Sequence, residues 1–132
     1  MSNVHLFNLS VYYEDTDAGG IVYYANYLKF MERARTEMIY DLFNLNHQKL
    51  KKDYDAIFIV RSCKIIYTKP AIFEDKLTVY TTIIKKSAVR LNLLQQVKKK
   101  ENLLASADVE LAVVNSKGEV NKLSSSLLEK LK

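Results

Sequence analysis

The spacing of apolar residues divides the chain into a first strand, one long helix and a series of later strands. Residues 6–13 alternate between apolar and polar positions, which predicts a half-buried strand. From Asn26 to Asn44 apolar residues recur every three or four positions, which predicts an amphipathic helix of about five turns with Asn26 as its N-cap. The predicted buried face of this helix comprises Tyr27, Phe30, Met31, Ala34, Met38, Leu42 and Leu45.

The second half of the chain predicts four more strands. After a polar link at 46–55, β-rich segments occupy 57–69, 76–86, 88–98 and 103–114. The polar breaks between the later segments are short, which favours antiparallel pairing because parallel strands need long crossover connections. The tail from Lys122 to Lys132 fits either a last strand or a short helix capped by Ser124 or Ser125. We therefore predict an α+β fold in which the helix covers the concave face of a curled antiparallel sheet.

Composition is consistent with one globular domain spanning residues 1–132. Hydrophobic residues make up 48% of the chain and charged residues 27%, which argues against disorder. The single cysteine, Cys63, leaves no partner for an internal disulfide, fits a reducing compartment and is predicted to be a packed thiol. No apolar run has the length of a membrane span, and the first residues lack the pattern of an export signal. We expect a cytoplasmic protein.

The net charge of +5 does not by itself indicate nucleic-acid binding. The basic residues are spread along the chain, and the tightest run, Lys98–Lys100, is followed at once by Glu101. A small anionic ligand or an acidic carrier protein explains the surplus equally well. The two histidines, His5 and His47, lie in no metal-ligand spacing, so we predict no metal site and interpret both as surface residues.

Residues 14–25 form a loop that combines acidic residues with glycines. Glu14, Asp15 and Asp17 lie just before the predicted helix, whose first N–H groups are unpaired and whose dipole is positive at that end. An acid beside such donors could act as a nucleophile or base next to an oxyanion site. Asp15 or Asp17 could instead cap a turn through its side chain, and this alternative stays open.

A calcium-binding loop is a further alternative for the same residues. Asp15 and Asp17, followed by Gly20, begin like an EF-hand. The pattern then fails, because Gly19 stands at the fifth ligand position and Asn26 replaces the glutamate of the twelfth.

The loop and the helix after it resemble the signature of the YbgC-type acyl-CoA thioesterases, in the 4-hydroxybenzoyl-CoA thioesterase group of hotdog-fold proteins. The matching residues are Tyr13, Asp15-Thr16-Asp17, Gly19-Gly20, Val22-Tyr23, Tyr27, Phe30, Glu32-Arg33-Ala34-Arg35 and Glu37. A weaker similarity covers residues 67–71 and 74–77. The resemblance implies a hotdog fold, in which a curved antiparallel sheet wraps round one long central helix.

The resemblance also implies a site. Asp17 would be the catalytic carboxylate, and backbone N–H groups around Tyr23, Tyr24 and Ala25 would polarise the thioester carbonyl. Many members of the group carry histidine where this chain has Tyr24, so we expect the catalytic contribution of Tyr24 to come from its backbone N–H. The expected substrate-binding residues are Gly20, Val22, Tyr23 and Tyr27. No cofactor is expected, because a thiolate is already a good leaving group.

The expected substrate is an acyl-CoA, with acyl carrier protein as an alternative thioester donor and no nucleic-acid partner. A non-catalytic acyl-CoA-binding or scaffold protein is the competing interpretation from another class. Because exposed sheet edges need pairing, and the group's active sites form between subunits, we expect a homodimer or homotetramer.

Overall fold

A computed structural model describes residues 3–131; Met1, Ser2 and Lys132, which the predicted domain and tail include, lie outside the described residues. The strands are β1 (Val4–Ser10), β2 (Ile57–Tyr67), β3 (Lys76–Lys86), β4 (Arg90–Lys99) and β5 (Asn102–Val114). The helices are α1 (Asn26–Phe43), α2 (His47–Tyr54) and α3 (Ser125–Leu128), with a short 3-10 turn at Tyr13–Asp15. The α+β class is confirmed. No helix in the described part of the chain is long and apolar enough to cross a membrane.

The five strands form one antiparallel sheet in the order β1-β3-β4-β5-β2. The short breaks after β3 and β4 do join antiparallel neighbours, as predicted. Consecutive strands β2 and β3 are not neighbours, however, because β2 pairs with β5 and β3 pairs with β1. This order leaves β1 at one edge of the sheet and β2 at the other.

Helix α1 packs across one face of the sheet, mainly against β1, β3 and β4. Most of its predicted inner face is buried, as are Ile39 and Phe43, which the pattern did not select. Leu42 and Leu45 are only partly buried. The arrangement of one long helix against a curved antiparallel sheet agrees with the hotdog fold that the resemblance implied.

Two boundary predictions around the first loop were wrong. Strand β1 ends at Ser10, because the Val11 N–H turns away to donate to the carbonyl of Asp75 at 2.9 Å. Tyr13 therefore lies beyond the strand and is exposed. Asn26 is the first residue of α1 and not its N-cap; its side-chain Nδ2 donates instead to the carbonyl of Asp15 at 2.8 Å.

The polar link at 46–55 contains helix α2, which the sequence pattern did not predict because Leu50 is its one buried residue. Asn46 caps this helix by accepting a hydrogen bond from the Lys49 N–H at 2.8 Å. The tail, for which the sequence allowed either a last strand or a short helix, forms the short helix α3 with Ser124 as its N-cap. Cys63 is exposed and not packed, because β2 is an edge strand.

Candidate active site

The loop between β1 and α1 folds into a tight turn that begins at Asp17. The Asp17 N–H donates to the carbonyl of Ile21 at 2.9 Å, and the Gly20 N–H donates to the carbonyl of Asp17 at 3.0 Å. Gly20 adopts a φ of +80°, in the left-handed region that glycine accepts without steric cost. The turn therefore depends on Gly20 and fixes the backbone of Asp17.

The Asp17 carboxylate caps this turn and still has one oxygen without a partner. Its Oδ1 accepts a hydrogen bond from the Gly19 N–H at 2.8 Å. Among the described residues Oδ2 accepts none, and the residue is exposed in the single chain. A Cβ at Gly19 would lie 3.2 Å from Oδ1, so a side chain there would crowd the carboxylate. The capping and catalytic interpretations of Asp17 are thus compatible.

Asp15 connects the loop to the start of the helix. Its Oδ2 accepts from the Tyr12 N–H at 2.8 Å. Its backbone carbonyl accepts from the Tyr23 N–H at 3.0 Å and from Asn26 Nδ2 at 2.8 Å. One of these three bonds is made by the side chain, and it is the turn cap that the sequence left open for either aspartate. The backbone carbonyl makes the other two, which connect the loop to the helix start.

The helix entry presents fewer available donors than the resemblance implied. The Tyr23 N–H is occupied by the carbonyl of Asp15. Within the described part of the chain, the N–H groups of Tyr24 and Ala25 donate to no protein acceptor. These two groups are therefore the donors that remain for a ligand at this end of α1.

The expected substrate-binding residues divide into surface and core positions. Gly20, Tyr23 and Tyr24 are exposed, and the rings of the two tyrosines lie 5.0 Å apart. Val22 and Tyr27 are each only 3% exposed and lie beneath the loop. The Val22 N–H donates to the carbonyl of Ala71 at 2.8 Å, and the Tyr27 hydroxyl accepts from the Ala71 N–H at 3.1 Å. In the single chain, Val22 and Tyr27 are core residues that support the loop.

Burial and nearby groups perturb two phenols at the site. Burial raises the pKa of Tyr27 above its ordinary value, partly offset by the Ala71 hydrogen bond. Burial also raises the pKa of Tyr67, whose hydroxyl donates to the carbonyl of Tyr24 at 3.0 Å. Both phenols are therefore neutral hydrogen-bonding groups at physiological pH.

The segment 71–75 supports the loop from below, and its key residue was not among the predicted site residues. Asp75 is 8% exposed; its carboxylate accepts from the Ile72 N–H at 3.0 Å and pairs with Lys99 Nζ at 2.8 Å. Its carbonyl accepts from the Val11 N–H, at the start of the loop. The only sequence signal was the weaker similarity at residues 74–77.

Burial by itself would raise the pKa of Asp75. The hydrogen bonds from Lys99 and Ile72, together with the Lys99 charge, outweigh burial and hold the pKa below its ordinary value. The Asp75 carboxylate is thus ionised at neutral pH, where its bonds to the Ile72 N–H and to Lys99 hold the segment 71–75 in place beneath the loop.

Comparison with known proteins gives consistent matches over most of the chain. A family model described as the thioesterase-like superfamily matches residues 11–131. The acyl-CoA thioesterase YbgC of Haemophilus influenzae is 37% identical over 115 residues, which are 87% of this chain and 84% of that protein. The acyl-CoA thioester hydrolase YbgC of Escherichia coli is 41% identical over 79% of this chain and 75% of that protein. The crystal structure of a probable thioesterase from Bartonella henselae superposes with a TM-score of 0.88 at 34% identity, covering 92% of this chain and 100% of that one.

Proposed function

Because the chain belongs to the thioesterase-like superfamily, we propose that it hydrolyses the thioester of an acyl-CoA to a free carboxylic acid and CoA. The observation that carries the proposal is the arrangement of the Asp17 loop. An exposed carboxylate with one unpaired oxygen precedes a helix entry where two N–H groups have no acceptor in the described chain. The relatives named as acyl-CoA thioesterases support the choice of substrate class.

Asp17 has two chemically balanced routes to the same products. In one, Oδ2 attacks the carbonyl carbon, CoA leaves as a thiolate, and water then hydrolyses the mixed anhydride. In the other, the carboxylate removes a proton from a water molecule whose oxygen attacks the carbonyl carbon. The tetrahedral intermediate then expels CoA as a thiolate, which takes up the proton from Asp17. In both, the N–H groups of Tyr24 and Ala25 would stabilise the oxyanion, and each such donor is worth about 3 kcal/mol.

We further propose that the active form is at least a homodimer, paired through the edge strand β2. This strand has 11 residues and exposes apolar side chains, with Ile59 45%, Val60 48% and Ile66 58% exposed. Such an edge is an association hazard unless another strand covers it. A second copy on β2 would also border the Asp17 loop, because Tyr67 at the end of β2 is bonded to Tyr24.

Acyl carrier protein is the alternative thioester donor. The chemistry at Asp17 would be unchanged, and the net charge of +5 suits an acidic carrier. Thiol release from acyl-CoA and from acyl carrier protein, measured in parallel, distinguishes the two donors.

The test is Asp17→Asn, with Glu14→Gln as the matched control in the same loop. Asparagine keeps an oxygen for the Gly19 N–H, so the turn and the melting temperature should persist. We expect kcat/KM to fall by about 1000-fold or more, since the reacting carboxylate is lost. Glu14 makes no side-chain hydrogen bond in the described chain, and its variant should stay within about threefold.

Turnover of Asp17→Asn within about threefold of the parent would refute the assignment of Asp17. A parent protein that binds acyl-CoA but releases no thiol would refute hydrolysis altogether and favour the non-catalytic interpretation.

A further inference from the structure

Tyr67, the last residue of β2, reaches the entry of helix α1 with its hydroxyl. Its Oη donates to the carbonyl of Tyr24 at 3.0 Å, between residues that are 43 positions apart in the chain. In the described chain this is the only hydrogen bond that the hydroxyl makes. The proposed hydrolysis gives Tyr67 no role in the reaction, so this bond needs an explanation of its own.

The sheet and the core hold the Tyr67 ring in place. Tyr67 pairs with Ala105 of β5, and directly after it the Thr68 N–H donates to the carbonyl of Leu104 at 2.8 Å. The Tyr67 ring meets the ring of Tyr27 nearly edge to face, with 5.5 Å between the centroids, and Tyr27 is only 3% exposed. The position of the hydroxyl is therefore fixed relative to the start of the helix.

The Tyr24 carbonyl depends on Tyr67 because the helix supplies it with only a weak partner. A regular α-helix would bring the Leu28 N–H to this carbonyl, but that group donates to the carbonyl of Ala25 at 3.2 Å. The Tyr27 N–H lies 3.4 Å from the Tyr24 carbonyl, beyond the usual range of an N–H···O bond. The Tyr67 hydroxyl is thus the closest hydrogen-bond partner of this carbonyl in the described chain.

The Tyr24 carbonyl and the Ala25 N–H belong to the same peptide group. A trans peptide is planar, and its C=O and N–H point in opposite directions. The Ala25 N–H is one of the two helix-entry donors that have no protein acceptor in the described chain, and it points away from the Tyr67 hydroxyl. A hydrogen bond accepted by the carbonyl fixes this plane and also polarises the N–H, because hydrogen bonds in series strengthen one another.

We propose that Tyr67 is a positioning residue for the oxyanion site, because its hydroxyl orients and polarises the peptide whose N–H, at Ala25, binds the thioester oxygen in the transition state. This inference rests on the proposed hydrolysis of acyl-CoA at Asp17. Tyr67 acts through the peptide and does not touch the substrate. Burial raises the pKa of Tyr67, so the phenol keeps at physiological pH the proton that it donates.

The kinetic test is Tyr67→Phe, which removes the hydroxyl and keeps the ring contact with Tyr27. Loss of an oxyanion donor costs about a hundredfold or more in kcat, whereas this variant weakens a donor without removing it, so we expect kcat to fall by about tenfold. KM should change by less than about threefold, since the donor acts mainly on the transition state. Tyr40→Phe, on a similarly exposed tyrosine of α1 without a side-chain hydrogen bond in the described chain, is the control and should keep the parent kcat.

A vibrational measurement tests the inference without turnover. The infrared stretch of an isotope-labelled thioester carbonyl, in acyl-CoA bound to Asp17→Asn, reports how strongly the protein polarises that carbonyl. We expect a higher frequency when Tyr67→Phe is added, because a weaker N–H donor polarises the C=O less. Adding Tyr40→Phe should leave the frequency unchanged. The shift caused by Tyr67→Phe supports the inference even if the parent hydrolyses nothing.

If Tyr67→Phe does not fold, replacement of Tyr67 by 3-fluorotyrosine takes its place. The more acidic hydroxyl is the stronger donor while it stays protonated, so the carbonyl stretch should move to lower frequency. A carbonyl stretch that does not respond to the change at Tyr67, in a parent that releases thiol, overturns the inference and leaves the proposed function standing. A kcat for Tyr67→Phe within about twofold of an active parent, or a loss that lies entirely in KM, also overturns it. Absence of acyl-CoA binding by both the parent and Asp17→Asn overturns the inference together with the proposed function.

Discussion

Replacing Asp75 should destabilise the protein, because this carboxylate holds the segment beneath the Asp17 loop. Asp75→Ala removes two hydrogen bonds, one to the Ile72 N–H and one to Lys99 Nζ. A bond to a charged group contributes about 1.5–3 kcal/mol, but the Lys99 side chain is 43% exposed and can return to water. We therefore expect a loss of about 2 kcal/mol, or about 6–8 °C in Tm for a domain of this size.

Asp75→Asn separates the two bonds. Asparagine keeps an acceptor for the Ile72 N–H and loses only the ion pair, so its Tm should fall by about half as much. Asp53→Ala, an exposed aspartate on α2, is the control and should stay within about 0.5 kcal/mol of the parent.

The pH dependence follows from the direction of the Asp75 shift. A folded-state pKa below the ordinary value stabilises the protein above the unfolded pKa of about 3.9, and that contribution is lost as pH falls through the folded pKa. The stability gap between the parent and Asp75→Asn should be constant from about pH 5 to 8 and shrink below about pH 4.

Thermal unfolding monitored by circular dichroism gives both results, and thiol release measures the effect on the loop. We expect thiol release to fall together with stability. The backbone carbonyl of residue 75 accepts from the Val11 N–H at the start of the loop, so loss of the carboxylate's bonds also loosens this contact. An Asp75→Ala protein that melts within about 2 °C of the parent at neutral pH would refute the role assigned to this carboxylate.

Two further predictions concern the active site and the assembly. Tyr24→Phe should retain kcat within about threefold, because the Tyr24 hydroxyl makes no hydrogen bond in the described chain and the backbone N–H is unchanged. A loss of kcat above about a hundredfold would show that the phenol takes part in the reaction. The protein should sediment as a dimer or larger and lose activity on dilution, because β2 exposes an unpaired apolar edge; a fully active monomer would contradict the shared site.

The elements themselves were readable from the sequence, because their patterns are local. The alternation from residue 103 to 114 and the helical spacing after Asn26 reflect burial on one side of an element, and β5 and α1 appear where these patterns predict. The same local reading located the loop with Asp17, since acids and glycines between a strand and a helix are visible without a fold. Helix α2 was missed because with one buried residue it has almost no apolar pattern.

Only the tertiary structure decided which strands distant in the chain are neighbours and what supports the site. The pairing of β2 with β5 joins residues about 50 apart in the chain, and no local pattern encodes it. That pairing puts β2 at an edge of the sheet and leaves Cys63 exposed, although the sequence analysis predicted a packed thiol there. Asp75 under the loop and Tyr67 at the helix entry are single polar residues on a turn and a strand, where no local spacing marks their roles. Their roles exist because the fold brings Lys99 to one and the Tyr24 carbonyl to the other.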